Sequence, residues 1–188
     1  MSVVFTPHRR KLSADQFERM GQTGILGPDA RVELIEGELI EMAPIGSRHA
    51  AAVGFLSMHF ARAVGDAALV HTQNPLRLSD DSEPQPDLML LRPKADRYRS
   101  AHPRPEDVLL LIEVAETTLV FDRETKLPLY AKEGIPEVWI LDIDTEQLEI
   151  YREPSAGGYR RKLERREADS IAPVALPAAA LQIGAVFA

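Results

Sequence analysis

The sequence predicts an α/β layer fold: a mixed central β-sheet flanked by helices, with small β-hairpins added at its N- and C-terminal sides. Three observations lead there. Two segments, "LMLL" at 88–91 and "VLLLIEVAE" at 108–116, are almost continuously apolar, as strands buried on both faces are. Two further segments, one starting at Ser47 and one at Asp122, carry apolar residues at helical spacing. The resulting core order is helix, strand, strand, strand, helix, strand, which packs as helices against one sheet. With 188 residues, 45% hydrophobic and 27% charged, the chain has the size and composition of one soluble globular domain spanning 1–188.

The elements follow in order. "KLSADQFERM" opens a helix, with Ser13 as cap and Gln16 completing a capping box. Gly21, Gly24, Gly27 and Pro28 then break the chain. "RVELIEGELIEMAP" reads as two short strands hinged at Gly37, with Leu34, Leu39 and Met42 turned inward, ended by Pro44 and Gly46. The helix from Ser47 shows an inward face at Val53, Leu56, Phe60 and Val64, with His49 on that face and Gly65 as its stop. "AALVHTQNPLRL" is a strand kinked near Pro75, followed by a turn over 79–82 and the strand 86–91. "RPKADRYRSAHPRPED" is a loop, and "VLLLIEVAE" the strongest strand signal in the chain. "DRETKLPLYAKEG" is a helix burying Leu127, Tyr130 and Ala131 and stopped by Gly134. "EVWILDI" is another buried strand, and "EQLEIYREPSAGGYRRKLERRE" alternates around "SAGG" as a hairpin. "ALQIGAVF" supplies a last short strand. Trp139 and Tyr130 belong to the core.

Composition narrows the function. The absence of cysteine excludes disulfides and thiolate zinc sites and fits a reducing, cytoplasmic setting. The opening "MSVVFTPHRRKLSADQFERM" lacks the basic start and apolar run of a signal peptide, and no stretch approaches the length that spans a bilayer. A net charge of −7 argues against coating nucleic acid over the whole surface but leaves room for a local basic track. Two clusters, "RPKADRYRSAHPR" and "YRRKLERR", each carry a tyrosine that could stack on a base; the plainer reading is a solvated loop and a hairpin face. There is no GxxxxGK phosphate loop, no GxSxG elbow and no HxxxH pair.

Two acids interrupt the apolar strands. Asp87 heads the run at 88–91, and Glu113 stands inside "LLLIEVAE". An unpaired ionised carboxylate there is strongly disfavoured. A divalent cation shared between them would keep both charged, and adjacent strands would bring them within about 5 Å. Carboxylates, a backbone carbonyl and waters suit Mg²⁺ or Mn²⁺. Asp after Pro also simply caps turns, so a solvent-facing Asp87 is the plain alternative. Lys126 follows Glu113 on the next helix, with Asp122 four residues before it on the same face. That is either a surface ion pair or a lysine leaning over the end of Glu113's strand to stabilise charge on a phosphate.

"PD" at 86–87, "IEV" around Glu113 and "DRETK" ending in Lys126 resemble the PD-(D/E)XK nuclease pattern with its lysine moved, because Ala115 occupies the usual lysine position. The ordered set "VELIEGELIEM", His49, "PD", "LLIEVAETT", "D…K" and "LYAKEGIPEVWILD" resembles the Uma2 family of endonucleases over 31–152, and more loosely to 187. The resemblance implies a restriction endonuclease-like core and a Mg²⁺-dependent site that hydrolyses phosphodiester bonds of nucleic acid, DNA foremost. It makes Asp87 and Glu113 metal ligands, the Val114 carbonyl a third ligand, and Lys126 the catalytic lysine. His49 and Asp122 would support them, and Glu33 or Glu38 would supply a further carboxylate. Pro128 departs from a regular helix just after Lys126; a helix starting near Thr125 would tolerate it in its first turn. The alternative is a nuclease-fold module that binds nucleic acid or a protein without cutting; a third, lesser reading has the acids hold only a structural cation. A symmetric homodimer would suit cutting of both strands.

Overall fold

The computed structural model describes residues 10–27 and 29–188. The segment 1–9, part of the stretch read above as no signal peptide, and Pro28, read as a chain breaker, lie outside the described residues. Helix α1 (Ala14–Gln22) begins at the expected capping box, in which Ser13 and Gln16 satisfy each other's backbone N–H groups. Strands β1 (Val32–Ile35) and β2 (Glu38–Glu41) form an antiparallel hairpin. Its two-residue turn, Glu36 and Gly37, has φ of 47° and 80°. A Cβ at Gly37 would also collide with Lys11, so glycine is required there on two counts.

Helix α2 (Ser47–Val64) leads to the central sheet: β3 (Leu69–Thr72), β4 (Leu88–Leu91), β5 (Val108–Ala115), β6 (Glu137–Asp142), β7 (Gln147–Ser155) and β8 (Gly158–Arg165). These six strands lie side by side in sequence order. Every neighbouring pair is antiparallel except β5 and β6, which are parallel. A parallel pair needs a crossover. The helical segment between β5 and β6 provides it: α3 (Leu119–Phe121), a π-helical turn (Asp122–Lys126) and α4 (Leu127–Lys132).

The central strands β4, β5 and β6 are buried on both faces. On one, Val53, Leu56, Phe60 and Val64 of α2 pack on Leu88, Leu90, Ile112 and Trp139. On the other, Tyr130 packs with Met89, Leu111, Ala115 and Ile140. This explains the uninterrupted apolar runs of β4, β5 and β6: alternate residues face different helices. On the α2 face, strands β9 (Ser170–Ile171) and β10 (Leu181–Gln182) form a two-stranded patch. No helix among the described residues is long and apolar enough to cross a membrane.

Four expectations change. Leu39 is 37% exposed, because β2 lies on the surface and only β1 packs against α1. Strand β4 begins at Leu88, leaving Pro86 and Asp87 free to turn toward the site. Leu127 is only partly buried. Finally, the crossover helix starts at Leu119, well before Thr125, so Pro128 is not in its first turn. A proline inside a helix lacks a donor and crowds the carbonyl four residues back. The π-helical turn just before it widens the backbone: Leu127 N–H bonds Asp122 O, five residues back. The same turn carries Asp122 and Lys126 to the sheet.

Candidate active site

The β4–β5 register pairs Leu88 with Ile112, so one step further sets Asp87 opposite Glu113. The two acids meet where β4 begins and β5 ends, and the Asp87 N–H donates to Glu113 Oε2 at 3.4 Å. Asp87 is not solvent-facing. One carboxylate oxygen accepts the Val114 N–H at 2.9 Å, the other the Gln73 amide at 3.2 Å, and His49 Nε2 lies 3.2 Å away. His49 comes from the first turn of α2, on the opposite face of the sheet from α4. Its hydrogen bond to Asp87 raises its pKa, against a smaller opposing effect of burial.

Glu113 is 3% exposed. Its Oε1 accepts the Tyr130 hydroxyl at 2.6 Å and the Lys126 ammonium at 3.4 Å. Burial pushes its carboxyl up to about 8; Lys126 opposes this, while Asp122 and Asp87 add to it. Lys126 is itself buried. Burial alone would lower its pKa, but Glu113, Glu33, Asp122 and Asp87 together hold it well above the usual lysine value. Glu33 Oε2 stands 3.2 Å and Asp122 Oδ1 4.0 Å from the ammonium. Glu33 also accepts the Gln85 N–H at 3.1 Å, and Asp122 the Thr118 hydroxyl at 2.6 Å. The Asp122–Lys126 pair is thus no surface ion pair but the floor of a buried cluster. Burial raises the Asp122 pKa, partly offset by Lys126 and Thr118.

These residues line a cavity of about 350 Å³. Its rim is the 42–46 loop on one side and 116–121 on the other. The two rims touch: a Cβ at Gly46 would meet the Glu116 carboxylate. The structure therefore gathers Asp87, Glu113, Val114, Lys126, His49, Glu33 and Asp122 around one cavity. Glu38 is the exception. It is exposed beside the hairpin turn, two residues nearer the tip than Ile40, the cross-strand partner of Glu33. The tyrosines of the basic clusters are also not free to stack. Tyr98 donates to Arg92 O beneath Lys94, and Tyr159 donates to Ile135 O. Tyr130, assigned from sequence only to the core, is the main contact that was missed. Its position four residues after Lys126 was the available signal, since i and i+4 share a helix face. Gln73 and Gln85 carried no such signal.

Among the described residues, no three His, Asp or Glu side chains form a ready cage for a metal ion. Mg²⁺ does not need one; it is commonly held by one or two carboxylates, with waters and substrate phosphates completing the shell. Asp87 and Glu113 are hard oxygen donors of that kind. The Val114 carbonyl leaves β5 on the same edge as its N–H, which already contacts Asp87. The donor set fits a hard divalent cation.

The fold is a nuclease-like α/β fold. The structure aligns with one titled "Crystal structure of a putative nuclease belonging to DUF820 from Anabaena variabilis ATCC 29413", with a TM-score of 0.72 and 19% sequence identity, covering 94% of this chain and 97% of that one. A family model, Uma2, described as "Putative restriction endonuclease", matches residues 14–184, and the chain belongs to that family. No curated protein matches.

Proposed function

We propose that the protein is a divalent-metal-dependent endonuclease that hydrolyses phosphodiester bonds in nucleic acid, with DNA the favoured substrate. The observation that carries this is a charge imbalance. Glu33, Glu113 and Asp122 lie within 4.0 Å of a single buried ammonium, Lys126, and Asp87 adjoins them with His49 beside it. Four buried or half-buried acids outnumber the cations that face them, and burial answers the shortage by drawing Glu113 toward its protonated form, as in a site whose remaining positive charge arrives with the substrate complex.

Asp87 and Glu113, with the Val114 carbonyl, would hold Mg²⁺ or Mn²⁺. Bound there, such an ion would supply Lewis-acid chemistry for phosphodiester hydrolysis. The chain's own groups do the rest. His49 and Gln73 orient Asp87, and Tyr130 fixes the rotamer of Glu113. Lys126 offers its ammonium to charge that builds on the phosphate, kept protonated by Glu113, Glu33, Asp122 and Asp87. It reaches Glu113 from the helix and stands in for the lysine that Ala115 lacks.

The test is a cleavage assay on plasmid DNA, single-stranded DNA and structured RNA, with Mg²⁺, Mn²⁺ or EDTA, beside Asp87→Asn and Lys126→Met. Cutting that needs metal and disappears in both variants is the expected result. One observation favours a second reading, a nuclease-fold module that binds without cutting: both Asp87 oxygens already accept protein donors. Nucleic acid bound but left intact with either metal would favour it.

A further inference from the structure

The cavity has a second cation. Arg31 lines its rim on the face of the hairpin that also carries Glu33, two residues away. It is exposed, and its charge is felt at His49, whose pKa it lowers. Unlike Lys126, it makes no ion pair among the described residues. Arg48, the other arginine nearby, is already taken by Asp144 at 2.8 Å and the Ile143 carbonyl at 2.8 Å. A guanidinium left unpaired at the mouth of an acidic cavity is placed to meet an anion that enters with the substrate.

Beyond Glu41, the wall beside Arg31 is apolar. Met42 lies next to it, its N–H bonded to Arg31 O at 2.9 Å, and Pro44, Ile45 and Phe121 continue the lining. Ile45 is 41% exposed. The carboxylates are sunk below this rim, with Glu33 2% and Glu113 3% exposed. A duplex is a stiff rod with a persistence length of about 50 nm, and bending a site by 40–90° to press one phosphodiester into a recess costs on the order of 1–6 kcal/mol. An unpaired strand can swivel a single nucleotide inward, with its base against apolar side chains.

Building on the nuclease reading, we infer that Arg31 is a substrate-positioning residue that binds a phosphate next to the scissile one, and that the Met42–Ile45 wall receives the attached base, which selects unpaired strands over duplex. Arg31 supplies the phosphate contact and Ile45 the apolar one.

The experiment is fluorescence anisotropy with a labelled oligothymidylate and a duplex of equal length, over a salt series in EDTA and again with Ca²⁺. Wild type is compared with Arg31→Ala, Arg31→Lys and Ile45→Ser. Wild type should favour the single strand. Arg31→Ala should weaken that binding about tenfold and reduce the slope of log K against log salt by about 0.7, the increment of one phosphate contact on a single strand. Arg31→Lys should keep the slope while losing part of the affinity, and Ile45→Ser should lose affinity severalfold at unchanged slope. Wild-type affinity and slope in Arg31→Ala would overturn the inference alone. Equal weakening on single strand and duplex would overturn the strand selection. Wild type binding neither probe would remove the nuclease reading, and this inference with it.

Discussion

Two glutamates, Glu113 on β5 and Glu149 on β7, are buried to nearly the same degree, at 3% and 2% exposure. Each accepts a tyrosine hydroxyl, from Tyr130 at 2.6 Å and Tyr151 at 2.8 Å. Their electrostatics are opposite. Glu149 faces two cations, Arg123 at 2.8 Å and Lys162 at 2.5 Å, the second shared only with the exposed Glu164 at 2.9 Å. Burial would raise its pKa, but hydrogen bonds from Arg123, Lys162 and Tyr151 prevail and hold it below the usual value. Glu113 shares one lysine with Glu33 and Asp122, and burial carries it to about 8. A buried strand carboxylate is therefore not in itself a functional sign. Glu149 is electrostatically complete and structural. Glu113 is left short of positive charge, and that shortage is what sets the candidate site apart.

The sharpest way to break the comparison is to neutralise each glutamate. Glu113→Gln should reduce cleavage at least about 100-fold, beyond the 10–100-fold typical of a supporting contact, while urea stability at neutral pH stays within about 1 kcal/mol. The amide resembles the protonated acid that burial already favours. Glu149→Gln should do the reverse, leaving cleavage intact and lowering stability by about 1–3 kcal/mol as two cations lose their partner. Equal effects on activity would refute the distinction.

A smaller effect is expected from the two tyrosines. Tyr130→Phe should lower kcat about tenfold with little change in KM, because it frees Glu113 to rotate. Tyr151→Phe should leave both constants unchanged; each variant should lose about 1 kcal/mol of stability in urea.

The smallest effect concerns Glu83, another buried acid, 2% exposed, beside Arg77 and Glu18. Burial, then repulsion from Glu18, raises it from 4.5 to about 7. Between those values the folded state holds more protons than the unfolded one, so this group's contribution to stability falls as pH rises from 4.5 to about 7. Glu83→Gln should flatten that part of the stability–pH curve by about 1 kcal/mol, measured as urea midpoints from pH 5 to 8. An unchanged slope would show that Arg77 keeps Glu83 ionised.

Much of this was legible in the chain. Apolar runs at 88–91, 108–112 and 138–141 specify strands buried on both faces, because a run without alternation has no side left for water. The same runs expose Asp87 and Glu113 as anomalies. Other features were hidden because they depend on position in space. Glu33 and Glu38 are equivalent in "ELIEGE", and only the docking of the hairpin buries the first and leaves the second in water. Tyr130 looks like any core tyrosine until its hydroxyl finds Glu113. Pro128 reads as a local obstacle, and the π-helical turn that accommodates it also aims Lys126 at the sheet.

By itself, then, the sequence determined the layer architecture, the strand pair that carries the two acids, and the family. Periodicity and local order are written along the chain. The tertiary structure decided which charges face one another: that Lys126 answers three carboxylates while Glu149 commands two cations, and that Arg31 is left over. Coulomb energies depend on distances and burial set by elements far apart in the chain, so the balance of charge that sets the candidate site apart exists only once the fold has closed.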